Sequence, residues 1–205
     1  GIGKTTLMRH ALAQATGFRV LRTSGTDTER DLPFAGLSQL LDPLSDLTGL
    51  PEPQARALGV ALALRAGEPP DRFAVSAGVL SLLTRASETR PTLVLVDDAH
   101  LLDRSSTDAL IFAARRLLAD AVLVLVALRD GDSSPWLESG LALLALDELD
   151  EEACSALIDE VSPVPTGPAQ RKMIARLARG NPLAVRELAR DPDLLVAGPP
   201  GVPPP

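Results

Sequence analysis

Two uninterrupted apolar runs constrain this chain more than anything else in it. Thr92–Val96 reads TLVLV and Ala121–Leu128 reads AVLVLVAL. Neither alternates between apolar and polar, and both are rich in β-branched or branched residues. A strand of that kind is apolar on both sides, which is the condition inside a parallel sheet. Each run stops at charge, Asp97-Asp98 after the first and Arg129-Asp130 after the second. Phe18–Thr23 (FRVLRT) reads as a further strand after Gly17, and Leu141–Leu146 as a last short one.

Helical spacing fills the intervals. Leu7, Ala11, Leu12 and Ala15 form one stripe, and Phe34, Leu37, Leu40, Leu41 and Leu44 another. Pro51, Pro53, Pro69 and Pro70 bracket a helix over about 54–66, and a longer one is expected over 71–88. A helix over 106–118 has Ser105 or Ser106 as its expected cap. Phe34 and Phe73, at helix starts, are expected in the core. Strand–helix alternation of this kind predicts an α/β fold with a parallel sheet. Past 147 the pattern turns purely helical, over Asp150–Val161, Pro168–Ala178 and Pro182–Ala189, and from Asp191 it becomes Pro-rich. The expected organisation is an α/β core over 1–147, a small helical lid over 148–190 and a linker or tail over 191–205.

Composition narrows the function classes. The chain has 205 residues, 45% of them apolar, too many for a disordered segment. Its 27 acidic and 20 basic residues leave a net charge of −7, against the basic stripe of a nucleic-acid surface. The single cysteine, Cys154, excludes an intrachain disulfide and a cysteine-based zinc site; it lies on a helical face with Leu157 and Ile158 and reads as a core thiol. The longest apolar run is far short of the ~20 residues of a membrane span, and no charged leader precedes an apolar stretch. A cytoplasmic protein is expected. Lysine occurs only as Lys4 and Lys172, which makes Lys4 conspicuous.

The chain opens Gly1-Ile2-Gly3-Lys4-Thr5-Thr6. Gly3, Lys4 and Thr5 fit the last three positions of the phosphate-binding loop G-x-x-x-x-G-K-[ST]. Glycines let backbone N–H groups curl around phosphate oxygens, and the following helix N-terminus favours an anion. The lysine reaches the β- and γ-phosphates, and the hydroxyl ligates Mg²⁺. A chance Gly-Lys-Thr before a helix is the plain alternative. The loop's first glycine would precede Gly1, so a fragment cut inside its motif is expected.

A strand ending in two acids is the complementary half of such a machine. Asp97 would hold Mg²⁺, and Asp98 would orient or deprotonate the attacking water. The alternative is a strand whose acids only cap the next turn. Arg129, after the next apolar run, stands where many ATPases keep a sensor of the γ-phosphate, or is simply a solvated arginine. Trp136 lies in a loop and is given no site role.

The segments "GIGKTTL", "FRVLRTSGTDTERDLPFAGLSQLLDPL", "PPDRFAVSAGVLSLL", "LVLVDDAHLLDRSSTDALIFAARRL", "ALRD" and "GNPLAVRELA", in that order, resemble the ATPase module of large LuxR-type bacterial transcriptional regulators. These are similar to the maltose-regulator branch of the STAND signal-transduction ATPases. The resemblance implies a P-loop NTPase core that binds ATP or ADP with Mg²⁺. It implies a switch: ADP holds a closed monomer, ATP plus an inducer opens it, the parent self-associates, and slow hydrolysis resets it. DNA binding would belong to a C-terminal helix-turn-helix outside these residues.

Residue by residue, Gly1, Gly3, Lys4, Thr5 and Thr6 match the phosphate loop, with Thr5 and Asp97 as metal ligands. Asp98 matches the catalytic acid and Arg129 the first sensor. Gly180-Asn181-Pro182 matches the lid motif, whose proline packs near the nucleotide base. It also reads as a helix C-cap followed by a helix-starting proline. His100 reads as structural, because Asp98 already fills the role of base.

The resemblance also carries expectations about what is missing. The strand before the phosphate loop is absent, so an interrupted sheet is expected, with Leu141–Leu146 separated from or collapsed onto Ala121–Leu128. A loop lacking half its N–H donors should bind nucleotide poorly, leaving this stretch an impaired ATPase. Two other readings compete: a motor or loader ATPase, which would want ring contacts and a basic channel, and a scaffold that neither binds nor hydrolyses ATP.

Overall fold

The computed structural model describes residues 3–129 and 134–191. Gly1 and the Pro-rich stretch from 192 onward therefore lie outside the described residues. The elements run α1 (Lys4–Gln14), β1 (Arg19–Ser24), α2 (Ala35–Leu41), α3 (Glu52–Ala61), α4 (Arg72–Thr89), β2 (Thr92–Asp97), α5 (Arg104–Ala114), β3 (Val122–Val126), α6 (Glu151–Val161), α7 (Pro168–Ala178) and α8 (Pro182–Arg190). They divide into two units, one over 7–143 and one joining 3–6 to 144–191.

In the larger unit the three strands form one sheet in the order β1-β2-β3, all parallel. The register pairs Arg19 with Thr92 through to Ser24 with Asp97, and Thr92 with Val122 through to Val96 with Val126. β2 is central and is buried on both faces from Thr92 to Val96. Its side chains alternate between two cores. Val94 and Val96 join Leu21, the α2 leucines, Val79 and Leu83 of α4, and Leu110 of α5. Leu93 and Leu95 face the other way, onto Met8 and Leu12 of α1. The sheet thus lies between α1 and the α2–α5 layer, the three-layer arrangement expected from the alternation. On α1 the buried anchor is Met8, while Leu7 is exposed.

Several expectations are corrected. The run over 121–128 is not a fully buried strand. Only Val122–Val126 is regular, Leu123 is 50% exposed, and among the described residues β3 has no second neighbour. No strand forms at Leu141–Leu146. That segment makes no ladder, Leu143 and Leu144 are exposed, and Leu141 alone packs against the core. Apolar spacing supplies side chains for a core, but a strand also needs a partner for its backbone groups.

Phe73 is 69% exposed and not in the core; its ring meets Phe112 edge to face at 5.8 Å, and Arg116 lies over the Phe112 ring. Trp136 is buried in the core. α2 stops at Leu41, ahead of Pro43, and the chain tightens into a 3₁₀ turn over Asp42–Leu44.

In the smaller unit α6, α7 and α8 bury Cys154, Ile158, Ile174, Ala178, Val185 and Ala189 against one another. Asp150 caps α6 by accepting from the Ala153 N–H. Arg171 ties α7 to α6, pairing with Asp159 through both terminal guanidinium nitrogens and donating to Ser155 Oγ and, from Nε, to the Thr166 carbonyl.

Candidate nucleotide site

The parallel register brings the carboxyl ends of the three strands to one edge, where sheets of this type place their ligands. There the backbone of β2 is gripped from both sides. Gly25 N–H, just past β1, donates to the Asp97 carbonyl at 3.0 Å, and Ala99 N–H donates to the Ala127 carbonyl at 3.0 Å. Between these bonds the chain reverses. Asp98 takes a left-handed conformation, φ 43° and ψ 44°, which a short polar residue tolerates better than most. The half-buried Asp97 accepts the Asp98 N–H on Oδ1 at 2.9 Å, and its second oxygen makes no hydrogen bond among the described residues. The Asp98 side chain is 46% exposed.

Gly25 belongs to this construction. A Cβ there would sit 2.4 Å from the Leu102 nitrogen and 2.5 Å from the Asp98 carbonyl oxygen. The loop after β1 can therefore lie on the Asp98–Leu102 turn only without a side chain.

Asp103 is the anchor that sequence reasoning missed. The residue is 3% exposed, and its carboxylate accepts three backbone N–H groups: Phe34 at 2.9 Å, Gly36 at 3.0 Å and Ser106 at 2.9 Å. The cap of α5 is thus Asp103, neither Ser105 nor Ser106. The Ser106 hydroxyl instead accepts the Leu37 N–H at 2.9 Å. Asp103 and Ser106 together tie the starts of α5 and α2 to each other. The available signal was an acid three residues before a serine at the head of an apolar-periodic stretch; either residue type caps a helix equally well.

His100 closes the turn. Its ring is only 8% exposed, Nδ1 lies 4.0 Å from Asp98 Oδ1, and neither ring nitrogen has a hydrogen-bond partner. Arg129 is exposed in the coil after β3 and forms no ion pair among the described residues. The structure thus gathers Asp97, Asp98 and His100 at one strand end.

Gly3, Lys4, Thr5 and Thr6 belong to the smaller unit. Gly3 has φ 102°, a left-handed conformation natural for glycine, with open space where a Cβ would stand. Lys4 follows as the first residue of α1, half-buried, and Thr5 and Thr6 are exposed on its first turn. Free N–H groups of a first helical turn are the donors an anion uses.

At Gly180-Asn181-Pro182 the structure has the expected helix end followed by a helix-starting proline. α7 ends in two left-handed residues, Arg179 (φ 47°) and Gly180 (φ 69°). Asn181 then caps α8, accepting from Leu183 and Ala184 N–H groups, with Pro182 in the first turn. A Cβ on Gly180 would stand 2.6 Å from the Leu149 carbonyl oxygen. Pro182 is half-exposed.

The donor set can be tested for Mg²⁺. Among the described residues no group of three or more His, Cys, Asp or Glu side chains is placed to hold a metal. A single carboxylate with a free oxygen suits a magnesium ion that takes its remaining ligands from phosphates and water. Asp97 meets that requirement.

No curated protein matches the chain. Among solved structures, a lysine-to-arginine mutant of RuvB from Thermotoga maritima aligns with a TM-score of 0.42 and 18% identity, over 96% of this chain and 62% of that one. The chain thus spans less than two thirds of the RuvB chain. Residues 1–126, which include Gly3-Lys4-Thr5 and the whole of β2 with its acids, match the family model described as AAA ATPase domain. More than half of the chain falls within that match, and the chain belongs to the AAA ATPase domain family.

Proposed function

We propose that this chain is the ATP-binding, slowly hydrolysing module of a bacterial transcriptional regulator, resembling those of LuxR type, and acts in the cytoplasm as a nucleotide-driven switch. The observation that carries the reading is Asp97-Asp98, held at the carboxyl end of the central strand of a parallel sheet in a chain of the AAA ATPase family.

Each residue has a role in this reading. Gly3 and the N–H groups at the head of α1 receive phosphate oxygens; Gly1 belongs to the same loop. Lys4 neutralises phosphate charge, and the Thr5 hydroxyl and the free oxygen of Asp97 hold Mg²⁺, while Thr6 adds a contact to the loop. The magnesium ion, when bound, neutralises charge on the phosphates. Asp98, exposed and turned out of the strand, orients a water for in-line attack and takes up its proton. Arg129 senses the γ-phosphate. Pro182 packs by the base, at the corner of the lid formed by Gly180 and the Asn181 cap.

The domain reading of 1–147 as core, 148–190 as lid and 191–205 as linker belongs to the same proposal. So do self-association of the parent, an inducer, and DNA contact through a separate helix-turn-helix.

The test is equilibrium binding of a fluorescent ATP analogue with Mg²⁺ to the full-length protein and to its Lys4→Ala variant. Loss of one charged phosphate contact is expected to weaken binding by about tenfold or more. Equal affinity in the two proteins, or no binding in either, would sink the assignment of Lys4 and with it the nucleotide switch.

A further inference from the structure

His100 is buried more deeply than the acid it faces, and both its ring nitrogens lack partners. Orphaned polar groups in a folded interior are rare and ask for an explanation. Packing alone is a poor one, because an apolar side chain of the same size would fill the space without that cost. The neighbour at Nδ1 is the Asp98 carboxylate, 4.0 Å away. The left-handed turn at Asp98 sets the two side chains on the same turn, and the bonds from Gly25 and Ala99 hold the backbone around it.

The tautomer follows from this geometry. A proton on Nε2 would be a buried donor with nothing to bond, and it would leave the Nδ1 lone pair facing a carboxylate oxygen. A proton on Nδ1 instead places an N–H 4.0 Å from the Asp98 carboxylate and leaves Nε2 as a bare acceptor, the less costly of the two orphans. A rotation of the exposed Asp98 side chain would close the remaining gap, as catalytic bonds often tighten only in the loaded site.

We infer that His100 is a positioning residue for Asp98: its buried Nδ1–H holds the Asp98 carboxylate in the orientation that receives the attacking water. The inference rests on the reading of Asp98 as the water-orienting acid. His100 touches neither nucleotide nor water; it acts through Asp98, so its loss falls on kcat and spares KM for ATP.

Two substitutions separate the two ring nitrogens. The amide nitrogen of His100→Asn is attached at the same branch point as Nδ1, whereas that of His100→Gln reaches the position of Nε2. Steady-state Mg·ATP hydrolysis by the full-length protein is expected to lose about 10- to 100-fold in kcat with His100→Gln and to recover most of it with His100→Asn, with KM unchanged in both. If Asp98→Asn abolishes turnover while the two His100 variants share one kcat, the role given to His100 is overturned and that of Asp98 stands. If Asp98→Asn retains wild-type kcat, the reading of Asp98 falls first and takes the positioning role with it.

A second readout needs no turnover. The chain has two histidines, and His10 is exposed, so His10→Gln leaves one ring to observe. Ring ¹⁵N shifts in alkaline buffer, where imidazoles are neutral, are expected to show the Nδ1–H tautomer for His100. An Nε2–H tautomer would overturn the inference whatever the kinetics.

Discussion

At the scale of single residues the structure turns on buried or backward-facing polar groups. Asp103 carries more of the site's geometry than either acid next to the strand, because one carboxylate satisfies N–H groups at two helix starts. Asp103→Ala leaves these donors buried without a partner. It is expected to lower the unfolding free energy by roughly 3 kcal/mol, read as a shift of the denaturant midpoint at constant slope. A change below about 0.5 kcal/mol, the range of ordinary surface substitutions, would show that water reaches those N–H groups.

The acid pair was legible from sequence, since a buried strand that ends in charge must deliver that charge to the sheet edge. Asp103 was not, because Asp and Ser compete for the same cap on equal terms. Phe73 misled for a related reason. Its place at a helix start says nothing about which side of the helix the core lies on.

At the scale of elements, agreement follows the strength of local signals. α7 spans Pro168–Ala178, the range its spacing predicts, and α4 begins one residue past Asp71, its cap. Proline and cap chemistry act within a turn, so their effects are local and readable. Strands are a different matter. β3 carries the sequence of an interior strand yet forms an edge of the described sheet, with Leu123 half-exposed.

An apolar, uncharged edge strand is a template for pairing between chains. Leu123→Lys is therefore expected to reduce concentration-dependent light scattering while changing stability by less than about 0.5 kcal/mol. A loss of several kcal/mol would mean that Leu123 is packed in the working protein. The segment at 141–146 shows the converse. Its leucines are spaced well enough for a strand, but no ladder receives it.

At the scale of the whole molecule the chain divides into two units with separate cores. Among the described residues no helix is long and apolar enough to cross a membrane. The one cysteine lies in the smaller unit and reports on it alone. Burial pushes the Cys154 thiol above its ordinary value, with the charges of Asp150 and Glu151 adding to the shift. Folding therefore favours the protonated thiol. Its stabilising contribution is complete below the unfolded thiol value of about 8.5 and is lost as pH rises towards the folded value.

Two consequences are measurable. A thiol reagent is expected to label Cys154 only as fast as the core of the smaller unit opens. The difference in stability of the smaller unit between wild type and Cys154→Ala is expected to shrink as pH rises above that point. Rapid labelling under native conditions, or a difference that grows with pH, would contradict the buried placement.

The sequence by itself determined the class of fold, the span of most helices, and which end of which strand carries the acids. Those properties depend on periodicity, proline and capping, which act over a few residues. The tertiary structure decided which strand lies in the middle and which at the edge, that Asp103 and Ser106 join α2 to α5, that Gly25 must be bare, and that the His100 ring is buried. Each of these depends on packing between segments far apart in the chain. Such contacts depend on where the whole sheet places its loops, and no local pattern of residue types encodes that.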